Sequence, residues 1–188
     1  NATAFMAQDR ETVDEAWPGD IVGLYDTGNL KIGDTLTDGE KLMYTGIPSF
    51  SPEIFKEVIN KDAMKTKQLE KGLLQLMEEG VAQLFTYELG KKKVVGVVGA
   101  LQFEVIQFRL KNEYSASVDF AHQNIYKACW ISSKDQKKLQ EFIDSKQRHI
   151  ARDKDGKLVF MAESNAWLQM VQDNFPEISF HFTSEFKD

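Results

Sequence analysis

The hydrophobic positions of residues 62–98 change from a helical period to a strand period. Over residues 62–79 the apolar side chains recur at i, i+4, i+7 and i+8, which predicts a helix with one buried stripe. These side chains are Leu69, Leu73, Leu76 and Met77. Gly80 then occupies a position typical of a helix end. The alternation over residues 81–87 and the apolar run over residues 93–98 predict two strands.

A second helix is predicted over residues 100–114. Its apolar residues form one stripe at i, i+4 and i+7, which we expect to face the core, with further apolar residues beside it. The stripe consists of Leu101, Val105 and Phe108, and the neighbours are Ile106 and Leu110. Residues 118–120 predict a short strand after this helix.

The segment before these elements predicts one more strand and a short helix. Residues 42–45 are a strand candidate, and Ser51-Pro52-Glu53 has the order of a helix start, with a capping serine, a proline and an acidic residue. That helix is predicted to end near Val58. Without it, the order over residues 41–122 is β-α-β-β-α-β, which predicts an α+β domain with a ferredoxin-like core.

Residues 123–188 predict an extension of this core with the order β-α-β-α-β. Asp155-Gly156 marks a turn before a strand, Ser132 or Ser133 is placed to cap the first helix, and Ser164 is placed to cap the second. The predicted elements are strand 126–131, helix 134–147, strand 157–162, helix 165–174 and strand 178–182.

Residues 1–40 differ from the rest because short apolar runs are separated by glycine turns. Residues 21–25 predict a strand, residues 27–29 a turn, and Leu30 and Ile32 another short strand. Forty residues are too few to close a barrel, so we expect the last strands of a truncated β-barrel domain. Their open edge predicts that the segment pairs with another copy of the chain, packs on the main domain or is poorly ordered. Residues 1 and 2 look like a tag scar.

Composition and charge exclude several classes of protein. The 188 residues include 23 Lys+Arg and 29 Asp+Glu, a formal net charge of −6 that is unusual for a protein that wraps nucleic acid. The single cysteine, Cys129, cannot form an internal disulfide, and His122, His149 and His181 lack metal-ligand spacing. These features predict a cytoplasmic protein without a metal site, and no nucleophile–base constellation predicts catalysis.

One glycine-containing segment lies where a phosphate-binding loop would lie. Gly96 and Gly99 follow a predicted strand and precede a predicted helix. The segment lacks the third glycine of a dinucleotide motif and the Gly-Lys-Ser/Thr of a P-loop. We therefore predict a tight strand-to-helix junction and no bound cofactor in this chain.

The most prominent basic cluster lies at the start of the first long predicted helix. Lys61, Lys65, Lys67 and Lys71 lie on or beside this helix, which also carries Gln68. Lys61 and Lys65, and Lys67 and Lys71, are i,i+4 pairs of like charges along its polar side. A solvated helix face is the ordinary interpretation, and a binding surface is the alternative. Further basic positions are Lys91, Lys92, Lys93, Lys134, Lys137 and Lys138.

Two sets of motifs resemble translational GTPases. Residues 16–23 (AWPGDIVG) and 33–36 (GDTL) resemble the end of the barrel domain of elongation factor G. Four further motifs resemble the C-terminal domain of the bacterial class II peptide chain release factors. They are residues 44–53 (YTGIPSFSPE), 65–81 (KTKQLEKGLLQLMEEGV), 95–105 (VGVVGALQFEV) and 109–114 (RLKNEY). Tyr44 stands where this family commonly has phenylalanine.

The resemblance implies a ribosome-dependent GTPase that removes class I release factors from the ribosome after peptide release. It implies that GTP and magnesium are bound by a domain upstream of this chain, and that residues 41–188 act as a lever that contacts the ribosome. On that basis Lys65, Lys67, Gln68 and Lys71 are the candidate ribosome contacts. The alternatives are a stand-alone ferredoxin-like protein-interaction module, the equivalent region of an elongation factor G-like GTPase, and an enzyme with an unrecognised site.

Overall fold

The computed structural model describes residues 2–6, 9–13, 15–24, 35–40 and 51–184. The chain divides into two compact units, Asn1–Tyr44 and Thr45–Asp188. The predicted turn at residues 27–29, the strand at Leu30 and Ile32, and the strand at residues 42–45 lie outside the described residues.

The N-terminal unit contains an antiparallel sheet. Its strands are β1 (Ala2–Met6), β2 (Asp9–Val13) and β3 (Val22–Leu24), in the order β2-β1-β3. The strand predicted over residues 21–25 is present as β3. The register pairs Ala2 with Val13 and with Leu24, so β1 is hydrogen-bonded on both sides.

Residues 51–122, the first half of the C-terminal unit, contain two helices and four strands. The elements are β4 (Ile54–Asn60), α1 (Thr66–Glu78), β5 (Gln83–Tyr87), β6 (Lys93–Val97), α2 (Leu101–Tyr114) and β7 (Val118–His122). A 3-10 turn, Ala63–Lys65, precedes α1, with Asp62 as its N-cap. The predicted strand and helix types from residue 62 onward are confirmed in this half.

The helix predicted from Ser51 to Val58 is wrong, because this segment forms strand β4. The Ser51 hydroxyl accepts a hydrogen bond from the Ala128 amide at 3.1 Å, so it ties the segment before β4 to β8 instead of capping a helix. Pro52 packs on Gly96, where an added Cβ would approach the proline Cγ to 2.5 Å. The β-branched and aromatic residues that follow suit a strand.

Residues 123–184, the second half, contain one strand more than predicted. The elements are β8 (Lys127–Ser132), α3 (Gln136–Ser145), β9 (Ile150–Arg152), β10 (Leu158–Ala162), α4 (Asn165–Asn174) and β11 (Ser179–His181). The predicted β-α-β-α-β order is therefore corrected to β-α-β-β-α-β. Asp135, and neither predicted serine, caps α3, whereas Ser164 caps α4 as predicted.

The two halves share one strand order within a single eight-stranded sheet. The sheet order is β11-β8-β10-β9-β5-β6-β4-β7, and all neighbouring strands are antiparallel. Within each half, the fourth strand pairs with the first, the first with the third, and the third with the second. The second strands, β5 and β9, pair with each other and join the two halves edge to edge. The strand order of the second half therefore runs across the sheet in the reverse direction to that of the first half.

Each half has its own core between its helices and its side of the sheet. In the first half, residues of α1 and α2 pack on β5 and β6, with Leu73 and Ile106 fully buried. In the second half, Phe142 of α3 lies at the centre of an aromatic group. Its ring centroid is 5.5 Å from that of Phe160, 5.0 Å from that of Phe175 and 5.7 Å from that of Phe180.

The other side of the sheet buries a third cluster that belongs to both halves. Its eight side chains come from strands alone: Phe55, Phe85, Val94, Ala128, Trp130, Ala151, Val159 and Met161. In a flat sheet the three strand spacings between β5 and β8 would be about 14 Å. The ring centroids of Phe85 and Trp130 are 6.2 Å apart, so the sheet curls and packs this side on itself.

The predicted inward stripe of α2 is wrong. Phe103, Ile106 and Leu110 face the core, whereas the predicted stripe lies in solvent. Leu101 is 72% exposed and Phe108 69% exposed. The helix is apolar on more than one side, so its sequence period does not determine which side is buried.

Candidate interaction surface

The predicted basic cluster forms a ridge on α1. Lys67, Gln68 and Lys71 are exposed on the outer side of the helix, opposite the buried Leu69 and Leu73. Lys65 lies just before the helix and is half-buried. We call Lys65, Lys67, Gln68 and Lys71 the α1 ridge. Their role as ribosome contacts stays a prediction.

The lysines of the α1 ridge differ electrostatically from their neighbours. Among the described residues, they form no ion pair. By contrast, Lys61 lies 3.1 Å from Asp119, Lys92 lies 2.7 Å from Glu57 and Lys93 lies 2.5 Å from Glu70. Among the described residues, the ridge lysines are therefore not engaged in ion pairs, whereas Lys61, Lys92 and Lys93 are.

A glycine brings α1 against α2. A Cβ added at Gly72 would approach Tyr114 Cγ to 2.7 Å and Leu110 Cδ2 to 2.8 Å, so only glycine permits this close contact. Beside it, Arg109 of α2 donates hydrogen bonds to Glu113 and to Glu79. These bonds raise the pKa of Arg109 and lower that of Glu113. The two helices therefore present one continuous outer surface.

The glycine segment before α2 does not fit a phosphate group. The Gln102 side-chain oxygen accepts hydrogen bonds from the Val98 and Gly99 amides at 3.0 and 2.9 Å. The Gln102 amide group donates in turn to the Val81 carbonyl at 2.9 Å. Two of the backbone donors that a phosphate at this segment would need, the Val98 and Gly99 amides, are thus used within the chain.

The other residues considered for catalysis, Cys129 and Ser132, are buried or hydrogen-bonded within the sheet. Cys129 is buried, and its burial raises the pKa of the thiol to about 12, so the thiolate needed for nucleophilic attack is scarce. Ser132 and His181 form a hydrogen bond of 3.0 Å, a pairing that their sequence separation did not predict. It joins β11 to β8, which are neighbouring strands. The described residues contain no metal-binding group of His, Cys, Asp or Glu.

The remaining basic positions are held by nearby acidic groups or lie in the second half. Lys91 pairs with Glu88 at 3.0 Å, and Lys138 pairs with Glu141 at 2.9 Å. Lys134 and Lys137 are exposed near the start of α3. Lys134 and Lys137 are therefore an exposed pair of lysines in the second half that is comparable to Lys67 and Lys71.

Sequence reasoning missed the exposed side of α2 as part of this surface. Leu101, Val105 and Phe108, which we call the α2 stripe, lie on the same helical layer as the α1 ridge. The only signal in the sequence was an excess of apolar residues around the helix. Among the described residues, no helix has the length and apolar character needed to span a membrane.

Comparison with protein families separates the chain into two matched regions. Residues 44–172 match the family described as class II release factor RF3, C-terminal domain. Residues 1–39 match elongation factor G domain 2. The first match covers more than half of the chain and includes both helices of the candidate surface.

Proposed function

The chain belongs to the class II release factor family, and from this premise we propose that it contributes ribosome contact during translation termination. The matched C-terminal domain is a non-catalytic region of a translational GTPase, which works in protein synthesis. In this proposal the whole factor promotes dissociation of class I release factors from the ribosome. The chain supplies an attachment surface and acts as a lever.

The α1 ridge is the observation that carries the proposal. A surface that contacts RNA phosphates needs cations whose charge is not already neutralised by the protein. Lys67 and Lys71 meet this condition, since they are exposed and form no ion pair among the described residues. The neighbouring Lys92 and Lys93 are instead held by glutamates. This contrast favours the ridge over Lys92 and Lys93, and the experiment below compares it with the exposed Lys134 and Lys137.

The lever role is supported by the shared cluster of the curled sheet. A lever must transmit displacement without bending in the middle, and the two halves are joined by more than the short β5–β9 pairing. Phe85 and Trp130 pack across the joint, as described above. Movement of the first half would therefore be passed on to the second half.

Four further parts of the proposal rest on the family and the strand order. The β-α-β-β-α-β order and antiparallel pairing support a ferredoxin-like arrangement of residues 41–122, with residues 123–188 as its extension. The match to elongation factor G domain 2 supports residues 1–40 as part of a β-barrel domain. Family membership supports GTP and magnesium bound upstream of this chain. It also supports a cytoplasmic location.

Co-sedimentation of the chain with 70S ribosomes over a salt series tests the proposal. The Lys67→Ala/Lys71→Ala variant should bind more weakly at low salt. Its salt dependence should fall, because each phosphate contact contributes about 0.7–0.9 to the slope of log K against log salt. The matched control is Lys134→Ala/Lys137→Ala, which removes the same charge from the second half and should bind like the wild type.

Two results would contradict the proposal. If the wild-type chain does not pellet with ribosomes at low salt, the domain carries no independent ribosome affinity. If the two double variants lose the same affinity, the contact depends on overall charge and not on the α1 ridge. If only the Lys67→Ala/Lys71→Ala variant loses affinity, adding Lys65→Ala and Gln68→Ala one at a time defines how far the ridge extends.

A further inference from the structure

The chain enters the C-terminal unit through a short segment that is attached to both halves. This segment consists of Ser51, Pro52 and Glu53, which we call the entry strap, and in sequence it lies between the N-terminal unit and β4. Among the described residues, Ser51 is the one hydrophilic residue that is buried, with 7% of it exposed. Serine is mostly found at protein surfaces, so its burial here requires specific partners.

The first residue of the entry strap is hydrogen-bonded to the second half. The Ser51 amide donates to the Phe182 carbonyl, directly after β11, at 3.1 Å, and the Ser51 hydroxyl accepts from the Ala128 amide of β8 at 3.1 Å. In the strand order β8 and β4 are five positions apart, which in a flat sheet is about 24 Å. The three residues from Ser51 to Ile54 span about 11 Å at most, so the strap reaches the second half only because the sheet curls.

The rest of the entry strap is fixed to the first half. The Glu53 amide donates to the Val97 carbonyl of β6 at 3.0 Å, directly before the pairing of β4 with β6 begins. Pro52 packs on Gly96, where an added Cβ would lie 2.5 Å from the proline Cγ and 2.8 Å from its Cβ. Glycine thus admits the proline ring to the surface of the sheet. The strap therefore bridges the two halves within three residues.

The place of the strap in the chain gives these contacts a mechanical meaning. A displacement that travels along the chain from the N-terminal unit passes through the strap before it reaches any strand of the eight-stranded sheet. Without the Ser51 contacts, that displacement would act on β4 alone. It would then reach the second half only through the β5–β9 pairing and the shared cluster. Hydrogen bonds weaken steeply when their geometry is distorted, so the Ser51 bonds hold both halves in a defined position.

We infer that the entry strap is the coupling point of the lever, which passes a pull from the N-terminal side to both halves at the same time. The inference rests on the proposed lever role and names the residues that receive the displacement. The Ser51 hydroxyl is the decisive group. Its removal would leave the amide of the fully buried Ala128 without its acceptor, and the strap would be hydrogen-bonded to the second half through Phe182 alone.

Force measurements on single molecules test this assignment with the complete chain held in two geometries. In the first, the handles are attached to the N-terminus and to an azidophenylalanine that replaces the exposed Lys137 on α3, so that the load enters through the strap. In the second, the N-terminal handle is moved to an azidophenylalanine that replaces Leu89, which is 56% exposed between β5 and β6. The load then enters the first half without passing through the strap.

The expected result is a difference between the two geometries. In the first geometry, the C-terminal unit of Ser51→Ala should open about tenfold faster than that of the wild type at the same force, because a buried amide loses its acceptor. In the second geometry, the same substitution should change the rate little. Ser133→Ala is the matched control. It also removes a hydroxyl that accepts from a backbone amide, that of Asp135 at 3.1 Å, but it follows the opposite end of β8 from Ala128.

A measurement on the wild type covers the case in which Ser51→Ala does not fold. Each opening step is assigned from the length that it releases, at about 3.5 Å per residue. In the first geometry, residues 51–137 should be released in one step, because the strap holds the second half together with the first. A step that releases residues 51–122 alone would overturn the assignment.

The outcomes separate the strap from the proposed function. If Ser51→Ala accelerates opening equally in both geometries, or no more than Ser133→Ala in the first, the strap does not carry the load and the inference fails, while ribosome contact through the α1 ridge stands. If the chain does not pellet with ribosomes, the proposed function fails, and with it the lever that the strap would serve.

Discussion

The two halves of the C-terminal unit have the same strand order but different helix layers. In the first half, Gly72 lets α1 and α2 approach closely, and the outer surface carries the α1 ridge and the α2 stripe. In the second half, Phe142 fills the space under the helices, and the outer side of α4 is mainly polar. The difference teaches that the sheet determines the topology, while the helix surfaces differ in the partners that they suit.

The largest expected effect tests whether the halves are one folding unit. Phe85→Ala removes a fully buried ring from the cluster shared by both halves and should lower the free energy of unfolding by about 3–5 kcal/mol. Because Phe85 packs on Trp130, tryptophan fluorescence should shift with far-UV circular dichroism during urea unfolding. Fluorescence that keeps the wild-type midpoint would show that the second half unfolds independently.

The next effect concerns the core of the first half. Leu73→Ala should destabilise the protein by about 2–5 kcal/mol, because Leu73 is fully buried and its loss leaves a cavity. Leu74→Ala on the same helix is the matched control, since Leu74 is 49% exposed. A change below about 0.5 kcal/mol for Leu73→Ala in urea unfolding would contradict the packing of α1.

A smaller effect tests the close helix contact that distinguishes the first half. Gly72→Ala should destabilise by about 1–2 kcal/mol, because the new Cβ would overlap Tyr114 and this cost exceeds the gain in helix propensity. Combined with Tyr114→Ala, the substitution should cost less than the sum of the two single changes. Strict additivity of the three unfolding free energies would show that the helices do not touch here.

The smallest effect lies at the joint between the halves and depends on pH. Hydrogen bonds from Lys91 and Arg152 lower the pKa of Glu88 below its ordinary value of 4.5. The carboxylate therefore stabilises the fold above that value, and the contribution is lost as the pH falls through the lowered pKa. Glu88→Gln should cost less than about 1 kcal/mol near neutral pH, since the pair is partly exposed. A deficit that persists in acid would contradict this assignment.

Local signals predicted most elements of the C-terminal unit. Helix α4 was predicted with its observed limits because Ser164 caps it, and α1 followed from its single apolar stripe. Strand β4 was missed because Ser51-Pro52-Glu53 has the composition of a helix start. In the structure the Ser51 hydroxyl instead accepts a hydrogen bond from the Ala128 amide. Strand β9 was missed because three residues are too few to show the alternation of apolar and polar side chains that identifies a strand.

The surface was only partly accessible to sequence reasoning. The α1 ridge could be placed from its spacing, because one apolar stripe fixes which side of α1 is polar. The α2 stripe could not, because Phe103 and Ile106 on the opposite side are equally apolar. The similarity of the two halves was also hidden, since it resides in strand order and not in residue identity.

The curled sheet also constrains the order in which the chain folds. Phe55 and Phe85 contact each other within the first half, but their cluster is complete only when β8, β9 and β10 are in place. The Ser51–Ala128 hydrogen bond likewise closes a separation of 77 residues. At about 5–20 residues per second, synthesis of the second half takes several seconds after the first has emerged. During that interval the first half exposes the aromatic side chains of Phe55 and Phe85 that the second half later covers. Exposed apolar surface of this kind is what chaperones bind.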